Sequence, residues 1–377
     1  MKVGKAIYNI LSQSTDVQSN FPFNTTDYSP TGTELVTNGD FSAGVEQLTQ
    51  PIDLTTDFTA NADATIDDSN SFTTTGNSLD GLRSSYGVLT VGKSYKLVIE
   101  GSTTSSGFTI GDLIGEGTEY CTGFGTHYFV AVDSGGGSTG GMWVRQQTAG
   151  TTDLTTFTIE ELGGDWTVQE GWSIGEDKAI CDGSTNNYVR QVLSLPVGNL
   201  KVTFEVDSYT SGTLNLWANL PAFTTIIQAT SANTYEAYIT TTSGANNLYF
   251  YSVAFVGSFT NVTVEEMVLN KIFPELAPPD IDAPYVVYSV VSNSPSETKN
   301  TNGDIDTANI EVYGFQDTYN KAVDLGVSVR AALDRKTGTY NTIEIQSTNY
   351  VNEQMDVNEA RKLWAAIQDY SIRIKNI

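Results

Sequence analysis

The chain is poor in the residues that most catalysis needs. It has one histidine and two cysteines in 377 residues. Any Ser-His-Asp or Cys-His arrangement would have to use His127, in Phe124-Gly-Thr-His-Tyr-Phe129, because no other imidazole exists. A lone histidine in an alternating run reads as structural. Cys121 lies nearby, but no base-orienting pattern surrounds the pair, and Cys121 and Cys181 imply no disulfide framework. Basic residues are also scarce, with 19 Lys and Arg against 44 Asp and Glu, a net charge of −25. Such a surface repels nucleic acid phosphates and anionic membranes, so no specific nucleic acid partner is expected. No apolar run approaches the ~20 residues of a membrane helix. Met1–Leu11 is too short and too regularly polar for the apolar region of a signal peptide. No membrane partner is therefore expected.

Other chemistries lack their patterns too. The carboxylate pairs Glu160-Glu161 and Glu265-Glu266 read as strand-end surface, since a glycosidase needs its pair to converge across a cleft. Asp67, Asp68, Asn38 and Asp40 offer hard oxygen ligands, but no Asp-x-Asp-x-Asp-Gly calcium loop is present. The glycine clusters Gly135–Gly137 and Gly140–Gly141 have no following Lys-Ser/Thr and helix, so they are a turn rather than a phosphate loop. The expectation is no catalytic residue, no metal site, no cofactor and no enzyme.

What the chain does have is enough apolar and aromatic content, 39% and 11%, to build packed cores. Its length suggests two to three domains. Charge divides it. Residues 21–270 hold 7 basic and 28 acidic residues, net −21, whereas the two ends together hold 12 and 16, net −4. Met1–Leu11 reads as an amphipathic helix, with Val3, Ala6, Ile7, Ile10 and Leu11 at helical spacing and Lys2, Lys5 and Asn9 on the other side. One short helix needs a sheet to cover. The sheet comes only after about 250 residues of Thr-, Ser- and Gly-rich sequence.

In the C-terminal part, Lys271–Pro279 is an extended lead-in, Tyr285–Val291 a β-branched strand and Ser292–Asp306 a polar loop. Thr307–Phe315 is a second strand and Thr318–Arg335 a helix burying Ala322, Leu325, Val329, Ala332 and Leu333. Asn341–Ser347 is a third strand. Val357–Ile367 is a second helix, with Asp356 and Glu359 at capping-box spacing and Ala360, Leu363, Trp364 and Ile367 as its stripe. Asp369–Lys375 is a last strand. With the first helix, the fold class is α+β in the order α-β-β-α-β-α-β, a mostly antiparallel sheet covered by helices.

These ends resemble the tail-completion, or tail-terminator, proteins of long-tailed bacteriophages. The matching pieces are Val-Gly-Lys-Ala-Ile-Tyr-Asn-Ile-Leu (3–11), Ile-Phe-Pro…Ala-Pro (272–278), Ala-Pro-Tyr-Val-Val-Tyr (283–288), Ala-Leu-Asp-Arg…Gly-Thr-Tyr (332–340) and Gln-Asp-Tyr-Ser-Ile-Arg-Ile-Lys (368–375). The resemblance covers roughly the 127 residues outside the insertion. It departs between Val17 and Lys271, where the family runs almost directly into the Ile-Phe-Pro segment. Residues 1–20 and 271–377 are thus expected to form one split domain.

The insertion repeats itself. Val91-Gly-Lys-Ser-Tyr-Lys-Leu-Val-Ile-Glu100 answers Val197-Gly-Asn-Leu-Lys-Val-Thr-Phe-Glu205, and Phe157-Thr-Ile-Glu-Glu161 answers Val262-Thr-Val-Glu-Glu266. Arg83 and Gly107 answer Arg190 and Gly212. The offset stays at 105 to 107 residues, which means two copies of one domain. Short alternating runs between Gly, Asn, Asp and Ser turns read as β-sandwiches, at 34–164 and 165–269. Leu35-Val-Thr-Asn-Gly-Asp-Phe-Ser42 and Gly171-Trp-Ser-Ile-Gly175 resemble signatures of carbohydrate-binding-module-like jelly rolls. The first element occurs once and the second only in the second copy. Either the copies stand in tandem, the expected order, or the first is inserted after the opening strand of the second.

The resemblance implies a virion protein at the head-proximal end of the tail, made in the host cytoplasm. It would be a homo-oligomeric ring, a hexamer, that terminates the tail tube and joins it to the head. Its partners would be the tail tube protein and the head–tail connector proteins. Tyr285, Val287, Tyr288, Ile310 and Val312 are candidate subunit-interface residues. The rival reading is a glycan-binding adhesin anchored on the virion by the α+β domain. Sugar rings stack on exposed aromatic faces, and Trp143, Trp172, Trp217 and Tyr251 are the candidate contacts to a host or environmental glycan.

Overall fold

The computed structural model of the chain describes residues 2–375, apart from 48–52, 62, 76–80, 85–87, 113–117, 133–140, 185, 220–222, 242–246, 299–300 and 341. The glycines Gly135–Gly137 and Gly140 lie outside the described residues. Helix α1 (Lys2–Gln13) forms where the amphipathic spacing predicts and buries Val3, Ala6, Ile7, Ile10 and Leu11. A one-turn helix, α2 (Thr15–Gln18), follows, its N-cap Ser14 Oγ accepting from Val17 N at 3.4 Å.

The sheet that α1 covers comes from the other end of the chain. It has six strands in the order Ile272–Pro274, Tyr285–Thr298, Thr301–Gln316, Leu363–Lys375, Ile343–Asn358 and Gly338–Tyr340. The first pair is parallel, with Ile272 opposite Val286, and the rest are antiparallel. A 15-residue helix (Tyr319–Leu333) lies on the same face as α1, its N-cap Thr318 Oγ1 accepting from Lys321 N. Gly326 lets it come close, since a Cβ there would stand 2.8 Å from Ala366 Cβ. Residues 3–28 and 267–374 share one core, in which Ile7, Leu11 and Tyr28 join Leu269, Val286, Ile310, Leu325 and Ile372.

The expected α+β alternation of strands and helices is overturned. The chain is 61% strand and 11% helix, and the helix expected over Val357–Ile367 does not form. That segment ends one strand, turns at 359–362 and begins the next. Capping-box and stripe signals are local preferences worth about 1 kcal/mol or less each. The competing ladder runs from Glu344 opposite Lys375 to Asn358 opposite Leu363. It gives both backbones hydrogen-bond partners and turns Ala366, Tyr370, Ile372 and Ile374 into the core. The loop expected over Ser292–Asp306 is likewise absorbed into the hairpin of Tyr285–Thr298 and Thr301–Gln316.

The insertion is all β. One core lies between a sheet containing Ser94–Thr103 and Gly150–Leu162 and a five-stranded sheet. The five strands run in the order Phe58–Ala60, Gly81–Ser84, Trp143–Gln146, Phe108–Gly111 and Glu119–Thr122. The other core is built on two long strands, Gly198–Asn219 and Asn247–Leu269, paired from Leu200 opposite Glu266 to Ala218 opposite Leu248. Register shifts between Thr203 and Thr213 bend them, so each strand serves both layers. Gly212 sits in this bend at φ +79°, and a Cβ there would stand 2.0 Å from Ala254 O.

The segment that precedes the first sandwich packs on the second core. Val36 and Phe41 belong to the second core. Phe41 meets Trp166 at 4.8 Å and Phe259 at 5.4 Å, and Trp166 Nε1 donates to Asn38 O at 3.0 Å. Only afterwards does Gly44–Glu46 pair with Glu160–Leu162 of the first sandwich. Val36 and Phe41 thus reach the second core before the chain enters the first sandwich.

One prediction follows from the bend. Gly212→Ala combines a left-handed backbone with a clash against backbone atoms, and should cost about 2 kcal/mol or more. Urea unfolding should show a lowered midpoint at unchanged slope, and an unchanged midpoint would refute the account of the bend.

Candidate functional site

One face of the C-terminal sheet is covered by the two long helices, and the other carries an open groove of about 630 Å³. Strand alternation builds it. Val286 and Tyr288 turn inward under α1, so Tyr285, Val287 and Ser289 turn outward beside Tyr313 and Phe315. Tyr285 and Phe315 stack at 4.7 Å. Arg361, at the tip of the far hairpin, donates from Nη1 to Tyr285 Oη at 3.0 Å. Tyr313 donates to Glu311 Oε2 at 2.6 Å. That hydrogen bond, with burial and the charges of Glu311 and Asp369, pushes the phenol up to about 12, so it stays a neutral donor at physiological pH. Leu276, on the groove's rim, is 82% exposed.

The five interface candidates therefore divide. Tyr285 and Val287 line this groove. Tyr288, Ile310 and Val312 are buried beneath the helices, and Tyr285 and Val287 are themselves only 3% and 8% exposed. The β-branched run signals burial, but it cannot say which alternate positions face the domain's own helices.

The aromatic candidates divide as well. Trp172 is a core residue, 5% exposed, stacked on Phe255 at 6.1 Å, and its Nε1 donates to Asn187 O. Trp143, half-buried, lies on the outer face of the first sandwich with the Arg83 guanidinium 5.7 Å from its ring. Trp217 and Tyr251 come together on the outer face of the second sandwich, rings 4.3 Å apart and 13° from parallel. Trp217 Nε1 donates to Thr225 Oγ1 at 2.9 Å. Beside them Arg190 lies 5.8 and 5.9 Å from the rings of Tyr188 and Tyr249, which meet edge to face at 5.1 Å.

The residues weighed for catalysis are dispersed. Cys121 and His127 lie in different sheets. Burial, with the Glu119 charge behind it, pushes the Cys121 thiol up to about 12, so it is no thiolate nucleophile at neutral pH. His127 Nε2 meets Gly123 O at 3.1 Å. Glu161 holds Tyr95 Oη at 3.2 Å and Lys93 at 3.5 Å. Glu266 has its pKa raised by burial. Adjacent strand residues point to opposite faces, so neither carboxylate pair converges. Asp67 accepts from Thr73, Asp68 from Asn70 N, Asp40 from Ser42 N and Asn38 from Ala43 N. Among the described residues no three His, Cys, Asp or Glu side chains cluster as metal ligands, and no helix is long and apolar enough to cross a membrane.

Residues 260–375 match the model of the family described as tail completion protein gp17. No curated protein matches the chain. Among solved structures, it is similar to a chain in the virion of a native gene transfer agent particle, at 10% identity and a TM-score of 0.24 over 28% of this chain and 79% of that one. It is also similar to the CBM22-1–CBM22-2 tandem domain of Paenibacillus barcinonensis Xyn10C, at 11% identity and 0.22 over 63% and 99%. A third likeness is to allantoicase from Saccharomyces cerevisiae, at 12% identity and 0.24 over 70% and 96%. The match over 260–375 covers the whole six-stranded sheet and its helix, so this C-terminal part of the chain is similar to the tail-completion proteins of bacteriophages.

Proposed function

We propose that the protein assembles through its C-terminal sheet into a six-membered ring at the head-proximal end of the tail. The ring closes the tail tube and joins it to the head–tail connector, with the sandwiches on its outer circumference and no catalytic role. The observation that carries this reading is apolar surface that one subunit leaves open. Leu276, on the rim of the groove, is 82% exposed, and residues 351–360 of the last hairpin are almost wholly exposed on both faces. Val351 and Val291 are 62% and 59% exposed. A strand pair with apolar residues in solvent on both sides gains by lying against another copy. The sixfold number rests on resemblance to the family. Charge supports the outward placement of the sandwiches. Six insertions of −21 each would strongly repel DNA in a lumen, whereas beyond the ~10 Å screening length at moderate salt the conflict disappears.

The split domain extends further than residues 1–20 and 271–377. Phe21, Tyr28, Met267 and Leu269 belong to its core, and the family match begins at residue 260. The domain we propose therefore keeps the strand pair Tyr28–Glu34 and Glu265–Leu269.

Two outcomes are expected. Electron microscopy of the purified chain or particle should show sixfold rings with outer sandwich density, and the pair Leu276→Asp and Val351→Asp should leave folded monomers. Rings that persist in the double variant, or sandwich density inside the channel, would refute this assembly. Second, joining Glu34 to Glu265 through a short Gly/Ser linker should give a folded protein. Joining Asn20 to Lys271 removes Phe21, Tyr28, Met267 and Leu269 and should cost several kcal/mol. Equal thermal stability of the two deletions would show that the strand pair is no part of the domain.

A further inference from the structure

The long helix of the C-terminal domain is apolar on more than one side. Of its 15 residues, Tyr319–Leu333, only Lys321, Asp324 and Arg330 are charged. Its core face buries Ala322, Leu325, Val329 and Leu333. Asp324, Val327 and Ala331, spaced i, i+3 and i+7, form a second line on the side away from that core, and all three are exposed. Val327 is 62% exposed. The flanks of this line are already engaged. Asn20 Nδ2 donates to Ser328 Oγ at 2.9 Å, and Arg330 lies over the Tyr350 ring at 3.9 Å. A helix apolar around most of its circumference belongs between two bodies, and this one has only its own sheet.

The opposite face of the same sheet offers a matching shape and charge. The groove there has Tyr285 and Val287 as a floor, 3% and 8% exposed, and a rim that reaches solvent at Leu276. Arg361 stands at the Tyr285 end. Its Nη1 donates to Tyr285 Oη at 3.0 Å, and among the described residues no carboxylate pairs with it. Acidic residues outnumber basic ones 44 to 19, so the lack is not one of supply. Asp324 is the converse. No cation pairs with it among the described residues, and its neighbour Lys321 is held by Asp317 at 2.9 Å.

We propose that the helix of one copy seats on the groove of the next, with Val327 and Ala331 over the apolar floor and Asp324 paired to Arg361. The contact rests on the ring proposed above and supplies its two surfaces. Helix and groove lie on opposite faces of one sheet, so no copy can fill its own groove. Two-fold pairing of like faces would leave either Asp324 or Arg361 unmatched. Joining unlike faces is heterologous, and such a contact propagates from copy to copy until the rotation closes it into a ring. The apolar groups around the two charges exclude water when the surfaces meet, which strengthens their attraction over that of an exposed pair.

The test is sedimentation velocity on the full-length chain, read as the protein concentration at which rings fall to monomers. Val327→Asp should leave monomers. Asp324→Arg and Arg361→Asp should each raise that concentration by about tenfold or more, since each sets like charges face to face. The double reversal, Asp324→Arg with Arg361→Asp, should restore assembly to within about threefold of wild type. Misfolding, or a purely structural role for either side chain, would give no such rescue. Val45→Asp, at a site 62% exposed on the first sandwich, should leave rings intact. Rings that tolerate Val327→Asp, single reversals without effect, or a double reversal no better than its parents would each overturn this contact and leave the ring itself standing. A wild-type chain that stays monomeric would overturn the ring, and the contact with it.

Discussion

Everything else in this chain depends on a short strand pair. Tyr28–Glu34 runs out of the terminal domain, and the end of Asn247–Leu269 runs back antiparallel to it, Tyr28 opposite Leu269. Asn270 N donates to Asp27 O at 2.7 Å, Ser29 Oγ bonds Asn270 Oδ1 at 2.7 Å, and Lys271 pairs with Asp27 at 3.2 Å with both side chains largely buried. A domain whose first helix and last strands are separated by more than two hundred residues must close a very long loop. Closure entropy grows only logarithmically with length, so a few hydrogen bonds, one shielded ion pair and the burial of Tyr28, Met267 and Leu269 suffice to hold the two crossings together.

The same logic recurs one level down. The second sandwich is itself interrupted after Phe41 by the first, and its opening segment returns to Trp166 and Phe259 through aromatic contacts. Each of two cores thus draws on stretches of chain that another core separates. Each body rests on the next. Asn199 Nδ2 reaches Gln18 Oε1, whose amide also holds Ser12 O, and Ser94 of the first sandwich accepts from Ile174 N of the second at 2.8 Å.

Much of this was legible in the sequence and the rest was not, for physical reasons. The first helix and the one ending at Leu333 were readable because their apolar spacing is also their burial. The helix expected at Val357–Ile367 failed where a long ladder outweighed a local pattern, a non-local effect that no window of eleven residues contains. Tyr288, Ile310 and Val312 were placed at an interface because apolar strand residues look alike whether a helix or a neighbour covers them.

Nesting has a consequence for how the insertion can work. A sandwich held by a paired strand stem and by contacts with α2 is an arm of fixed direction, unlike one on a Gly/Ser tether that samples a wide volume. In the ring proposed above, such arms would hold their outer faces at set spacings. Several weak contacts to one extended polymer can then form together without each losing the freedom of a loose domain. The dense negative charge of the same arms keeps neighbouring particles apart at moderate salt.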